Sequence, residues 1–155
     1  MAILNIVKEG DPVLRKVCRP VDEITPKIKT LIDDMVETMH RANGVGLAAP
    51  QVGVLRRVVV IEVEPGVTYK MINPEIIACE GKQNETEGCL SVPGKWGITD
   101  RPEKVTVRAT GIDGRKFEVT GEGLLARAFC HELDHLDGKL FIDNAVRMLD
   151  PDEVE

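Results

Sequence analysis

The segment His131-Glu132-Leu133-Asp134-His135 constrains the fold of this chain more than any other feature. Residues four apart share one face of an α-helix, so a helical segment points both imidazoles at the same place. Glu132 then lies beside the pair, where a carboxylate is suited to proton transfer rather than to metal coordination. Two histidines at this spacing favour a metal site over the alternative, in which each is an ordinary core residue.

Apolar residues around this segment recur at helical spacing from Leu124 to Leu136, and Gly138 suits the position just past the helix end. Thr25 followed by Pro26 is typical of a helix start, and the apolar spacing that follows predicts a first helix from about Pro26 to about Arg41. We expect Asn43-Gly44 to end that helix, with the glycine in the left-handed conformation.

The middle of the chain is rich in β-branched residues and alternating patterns, which predict strands. Gly44 to Gln51, with many small residues and a proline, fits no regular element. The predicted strands are Arg57–Val63, Tyr69–Asn73, Glu75–Cys79, Val105–Ala109 and Phe117–Val119, with a hairpin turn at Ile112–Arg115. We expect an α+β fold in which antiparallel or mixed sheets pack around the metal-site helix, with the other helix near the N-terminus. The length favours a single domain, residues 1–155.

A catalytic metal ion with two histidine ligands needs a third protein ligand and one open position. A third histidine at the spacing of one metalloprotease class would fall on Phe141, and Glu153 and Glu155 of the acidic tail are poor candidates. Cys89 is the better candidate because a thiolate binds first-row metals well, whereas Cys130 is turned about 100° from the ligand face. A metallopeptidase that cleaves internal peptide bonds and a non-enzymatic structural metal site remain alternatives on this evidence.

Composition argues against several other classes of protein. The net charge is −6 with no basic cluster, so we expect no direct binding of nucleic acid. The four cysteines are irregularly spaced and indicate reduced thiols rather than a disulfide framework. No apolar stretch is long enough to span a membrane, and the first residues do not resemble a signal peptide, so we expect a cytoplasmic protein.

Three segments together resemble the motifs of the peptide deformylases: Gly44–Gln51, Glu87–Ser91 and His131–Gly138. The start, from Ile6 to Arg15, is also similar to that family, so the resemblance extends over nearly the whole chain. It implies removal of the formyl group from the N-terminal formylmethionine of nascent peptides. It also implies Fe²⁺ as the metal, with zinc, nickel or cobalt as substitutes, and a contact with the ribosome near the exit tunnel. We expect a monomer.

The resemblance implies a role for each residue of the site. The metal ligands would be Cys89, His131 and His135. Glu132 would transfer the proton, while Gln51 and the backbone N–H of Leu90 would stabilise the oxyanion. Glu87 and Arg101 would form a charge pair behind the ligands.

The resemblance also suggests where the substrate lies. Gly46 and Val45 would line the site and contact the peptide. An apolar pocket for the methionine side chain has four candidates, although core packing explains each equally well: Val45, Leu47, Leu125 and Phe129.

Two positions depart from the family pattern. Cys130 stands where many relatives have glutamine, and Trp96 stands at a loop position where some carry an arginine near the substrate. These departures bear on hydrogen bonds behind the ligands and on contacts with the substrate, not on the reaction class.

Overall fold

The structure, a computed structural model, describes residues 2–153; Met1 and residues 154–155, including the candidate Glu155, lie outside it. The helices are α1 (Pro26–Arg41), α2 (Leu124–Leu136) and α3 (Phe141–Asn144). The strands are β1 (Gly46–Ala48), β2 (Val58–Ile61), β3 (Tyr69–Glu80), β4 (Gln83–Cys89), β5 (Val92–Arg101), β6 (Lys104–Thr110), β7 (Lys116–Glu122) and β8 (Ala145–Met148). Within the described residues, every helix is too short or too polar to cross a membrane.

The strands form two sheets, and all pairs between these strands are antiparallel. The larger sheet has the order β1-β2-β3-β6-β7, and the smaller has the order β4-β5-β8. Helix α2 contacts β1, β2, β6 and β7 of the larger sheet and β5 of the smaller one, so the metal-site helix lies between them. This arrangement confirms the predicted α+β class.

The fully apolar strand β2 is buried because helices cover both of its faces. Val59 and Ile61 pack in the core that includes α2, whereas Val58 and Val60 pack in the core that includes α1. Successive side chains of a strand point to opposite faces, so a strand between two helical layers needs apolar residues at every position. The run of β-branched residues in the sequence therefore reflects burial on both sides.

The helix ends follow the sequence pattern with one correction. The Thr25 side chain accepts the Ile28 N–H at 3.3 Å and caps α1, as predicted. After α1, Asn43 rather than Gly44 takes the left-handed conformation, with a φ of 57°. Gly44 lies close to Leu90 instead, and a Cβ there would lie 2.7 Å from Leu90 Cδ1 and displace the end of that side chain.

The strand predictions were incomplete. The two strands predicted between Tyr69 and Cys79 are one strand, β3, whose register shifts near Asn73, a residue with a φ of 52°. The segment expected to be irregular contains β1 and a 3-10 turn at Ala49–Val52. Strands β4 and β5 were not predicted, while the turn at Ile112–Arg115 joins β6 to β7 as expected.

Candidate metal centre

The three predicted ligands come together from two elements. His131 and His135 project from α2, and Cys89 ends β4, immediately before the two-residue turn that leads into β5. Their ligand atoms all lie within 4.8 Å of one another, and Cys89 Sγ is 3.4 Å from His135 Nε2. A sulfur and a nitrogen bound to one tetrahedral ion lie roughly 3.6 Å apart. The donor set and its spacing therefore fit a single metal ion.

The environment of the two imidazoles also suits a cation. Glu87 Oε1 binds His131 Nδ1 at 2.6 Å, which leaves Nε2 of that ring for a metal. Burial and the charge of His131 hold the pKa of His135 well below its usual value, so its ring is the neutral form that metals bind. Burial alone would lower the pKa of His131, but Glu132, Cys89 and Glu87 raise it well above its usual value. Anionic groups around this ring thus favour a positive charge at the centre of the cluster.

A buried ion-pair network holds His131 from behind. Arg101 donates to Glu87 through Nη2 at 2.8 Å and through Nε at 3.3 Å, and the Thr99 hydroxyl donates to the same carboxylate at 2.7 Å. Burial alone would raise the pKa of Glu87, but the hydrogen bonds from His131 and Arg101 outweigh it and lower that pKa to about 2. Glu87 is therefore an anion at neutral pH. Arg101 also donates to Asp134 at 2.7 Å, a contact that the sequence did not reveal.

Glu132 lies beside the ligands with an unsatisfied oxygen. Its side chain is buried, and Oε1 has no hydrogen-bond partner in the region 2–153. A Cβ on Gly46 would lie 2.5 Å from Oε2, so the carboxylate occupies space that only glycine leaves free. Burial raises the pKa of Glu132 to about 7, close to the value that suits a general base at neutral pH.

Gln51 and Leu90 both line the cleft beside the ligand cluster. The Ala48 N–H donates to Gln51 Oε1 at 2.9 Å, which turns Gln51 Nε2 towards the ligands. That Nε2 donates to the Ser91 hydroxyl at 3.1 Å and lies 3.6 Å from Cys89 Sγ. Among residues 2–153, the Leu90 N–H has no hydrogen-bond acceptor. Gln51 Nε2 thus lies beside the ligand cluster, and Leu90 directly follows the ligand Cys89 in the turn that lines the cleft.

The N-terminal segment connects the two turns that carry these donors. The Val7 N–H donates to the Gln51 carbonyl, and the Glu9 N–H donates to the Ser91 carbonyl, each at 2.7 Å. Residues 7–9, called the strap below, therefore link the two turns through main-chain hydrogen bonds. Sequence reasoning did not find this contact, because no local pattern in residues 7–9 indicates it.

A cleft of about 590 Å³ opens in front of the ligands. Gly46, Gln51, Cys89, His131 and Glu132 are among the residues that line it. Further lining residues are Val45, Leu90, Trp96, Leu124, Arg127 and Ala128. The cleft is therefore polar at the ligand cluster and largely apolar along one wall.

Of the four candidates for a methionine pocket, Val45 lines the cleft. Leu47 and Phe129 are fully buried in the two main cores instead, and Leu125 packs against the core around α2. The residues that sequence reasoning missed are Leu124, Arg127 and Ala128, which precede His131 by seven, four and three positions. Their helical spacing from His131 was a signal that could have found them.

Trp96 belongs to strand β5 rather than to a loop, and its side chain is 41% exposed at the cleft. Its ring lies over Gly88, where a Cβ would collide with the indole. The glycine between Glu87 and Cys89 thus makes room for this aromatic wall.

Comparisons with known proteins agree with the geometry. The family model of polypeptide deformylases matches residues 3–150. The peptide deformylase of Agathobacter rectalis is 62% identical over 143 residues, which cover 92% of this chain and 90% of that protein. The peptide deformylase of Acetivibrio thermocellus is 57% identical over 155 residues, covering 100% and 91%.

Solved structures give the same result. A peptide deformylase from Legionella pneumophila superposes with a TM-score of 0.90 at 47% identity, covering 97% of this chain and 88% of that one. The enzyme from Thermotoga maritima superposes with a TM-score of 0.90 at 40% identity, covering 94% and 99%. The chain belongs to the polypeptide deformylase family.

Proposed function

We propose that this protein hydrolyses the formyl group of N-terminal formylmethionine in nascent peptides, releasing formate and a free amine. The observation that carries the proposal is a cluster of one cysteine and two histidines, with Gln51 Nε2 3.6 Å from its sulfur and the buried Glu132 in the same cleft. Membership of the deformylase family supports it.

Cys89, His131 and His135 would hold a divalent metal ion. Three protein ligands leave one coordination position open in a tetrahedral site. When bound, the ion would lower the pKa of water and polarise the formyl oxygen. We propose Fe²⁺ as the physiological ion, with zinc, nickel or cobalt as substitutes. An anaerobic Fe²⁺ preparation should turn over faster than the zinc form, and the reverse order, with metal content measured, would rule out iron.

Different groups of the site would transfer the proton and stabilise the negative charge on the formyl oxygen. Glu132, with a pKa raised to about 7 by burial, accepts a proton from water and returns it to the departing nitrogen. Gln51 Nε2 and the Leu90 N–H donate to the formyl oxygen as it becomes negative. The Gln51 amide is held by other hydrogen bonds before the substrate arrives, so it needs little reorganisation.

The cleft also suits an extended peptide. Strand β1 ends the larger sheet and β4 ends the smaller one, so each has an edge without a partner strand in the described part of the chain. A substrate backbone can pair with such an edge, which fixes its direction without reading its sequence. The methionine side chain would then lie against Leu124, Ala128 and Val45.

We further propose that the protein works in the cytoplasm as a monomer of one domain and meets nascent chains at the ribosome near the exit tunnel. Light scattering after size exclusion would test the monomer, and a single cooperative unfolding transition would test the single domain. Cosedimentation with ribosomes would test the last part.

One assay tests the central proposal: formate release from a formyl-Met-Ala-Ser peptide by oxygen-protected Fe²⁺ protein. Glu132→Ala should abolish release and keep the metal, whereas Cys89→Ala should lose both. Cys79→Ala is the matched control, because that cysteine is exposed and outside the cleft. A metallopeptidase would cleave internal bonds and would not depend on Cys89. Absence of formate, or full activity and metal content in Cys89→Ala, would contradict the proposal.

A further inference from the structure

Three cationic side chains line the cleft: Lys8, Lys95 and Arg127. The carboxylates that line it are Glu87 and Glu132, and both are buried at the ligand cluster. The whole chain has a net charge of −6, so three cations in one cleft run against the average of the molecule.

Two of the three cations donate hydrogen bonds to uncharged backbone carbonyls. Lys8 Nζ donates to the Leu90 carbonyl at 3.2 Å, and Arg127 Nη1 donates to the Thr86 carbonyl at 3.0 Å. Arg127 Nε is buried and has no partner within residues 2–153. A hydrogen bond to a carbonyl leaves the full positive charge, so these two side chains still attract an anion.

The third cation is partly compensated. Lys95 Nζ lies 3.0 Å from Glu9 Oε1, and its side chain is 56% exposed. An exposed ion pair of this kind contributes little free energy and exchanges readily with another carboxylate. Lys8 and Arg127 therefore supply most of the uncompensated positive charge among these three side chains.

We propose that these cationic side chains bind a carboxylate of the peptide, so that the protein prefers formylated peptides with an acidic side chain within two residues after the formylmethionine. This inference rests on the proposed function. The formylmethionine and two further residues of extended chain span roughly 10 Å, which reaches from the ligand cluster along the cleft. Lys8 is adjacent in space to the Leu90 turn, and Arg127 is one helical turn before His131, so both lie within that reach.

The test compares C-terminally amidated peptides formyl-Met-Ala-Xaa-Ser, where Xaa is Glu, Gln or Lys. The amide removes the terminal carboxylate, and Glu and Gln have nearly the same shape. We expect kcat/KM for the Glu peptide to exceed that for the Gln peptide roughly fivefold, with the Lys peptide lowest. Added salt at about 0.5 M should reduce the Glu to Gln ratio, because it screens partly exposed charges.

The double variant Lys8→Gln/Arg127→Gln should bring the Glu to Gln ratio close to one, whatever its effect on overall rate. Arg108→Gln is the matched control, because Arg108 lies on β6 away from the cleft, and it should leave the ratio unchanged. Equal rates for Glu and Gln peptides in the unmodified protein would overturn the inference. So would a Glu to Gln ratio that stays unchanged in the double variant. If none of the peptides releases formate, the proposed function itself fails.

Discussion

Single glycines decide where the reactive groups of this cleft can lie. Gly46 leaves the space that the Glu132 carboxylate fills, and Gly88 leaves the space that Trp96 covers. Neither glycine has a positive φ, so backbone conformation does not explain them. Their role is to let a functional side chain approach the backbone of a strand.

Gly46→Ala should therefore disable the site without removing its metal. The new Cβ would lie 2.5 Å from Glu132 Oε2, and the carboxylate must move by about an ångström. A displacement of that size costs roughly a hundredfold in kcat/KM. Gly111→Ala is the control, since its one close contact would be the tip of the exposed Asp113 side chain at 3.0 Å, and its other neighbours lie at ordinary van der Waals distances. Formate release, together with metal analysis, measures both, and near-normal activity of Gly46→Ala would contradict the argument.

Glu87→Gln tests the anion behind His131. The carboxylate keeps the ring oriented and raises its basicity, so its removal should weaken metal binding about 10- to 100-fold. Competition with a fluorescent chelator measures the affinity. Glu85→Gln, on the same strand but exposed, should bind metal normally. Equal affinity of the two variants would show that the charge of Glu87 does not matter.

The residues of the site differ in how much the sequence reveals of them. The histidines and Glu132 are encoded in a local helical spacing, so a pattern alone brings them together. Ser91 and Asp134 act through partners 40 and 33 residues away, Gln51 and Arg101. No local spacing encodes such contacts, and only the packing of the turn against α2 and the sheets creates them.

At the scale of elements, the strap formed by residues 7–9 sets the distance between the Gln51 turn and the Leu90 turn. Residues 8–11 form a turn in which the Asp11 N–H donates to the Lys8 carbonyl at 3.2 Å and Gly10 has a φ of 102°. Glu9 is the second residue of that turn, a position where proline is favoured.

Glu9→Pro should therefore keep the turn and remove two things: the N–H that binds the Ser91 carbonyl and the exposed ion pair with Lys95. We expect kcat/KM to fall about tenfold, because the oxyanion donor shifts, while metal content stays constant. Glu9→Ala keeps the N–H and loses only the exposed pair with Lys95, so it should remain close to normal. Similar activity in the two variants would show that the strap does not position the donors.

The elements that the sequence predicted are those with long, periodic apolar faces. Helices α1 and α2 have the predicted bounds because apolar spacing continues over many residues, with the Thr25 cap at the start of α1 and Gly138 just past the end of α2. Strand β1 has three residues, too few for a pattern, and it forms because β2 pairs with it. Strand β4 is largely polar and exposed, so hydrophobic alternation is missing where the sheet edge faces solvent and the cleft.

At the scale of the whole molecule, the four thiols lie in three different environments: the surface, the candidate metal centre and the core. Cys79 is exposed, whereas Cys18 and Cys130 are buried, and burial raises the pKa of each buried thiol to about 11. A thiol with so high a pKa stays protonated at pH 7, and the protonated form is not the nucleophile. Cys89 is only partly buried, so bound metal rather than burial would protect it.

N-ethylmaleimide at pH 7 should therefore modify the cysteines in a fixed order, which peptide mass spectrometry can follow. The metal-loaded protein should react at Cys79 alone, and removal of the metal by a chelator should add Cys89. Cys18 and Cys130 should react only when denaturant unfolds the chain, since both exposure and a normal pKa return together. Cys79→Ala should give no modification of the metal-loaded protein. Reaction of Cys89 at the same rate with and without metal would exclude it as a ligand, whereas early reaction of Cys18 would show that the core around α2 opens without global unfolding.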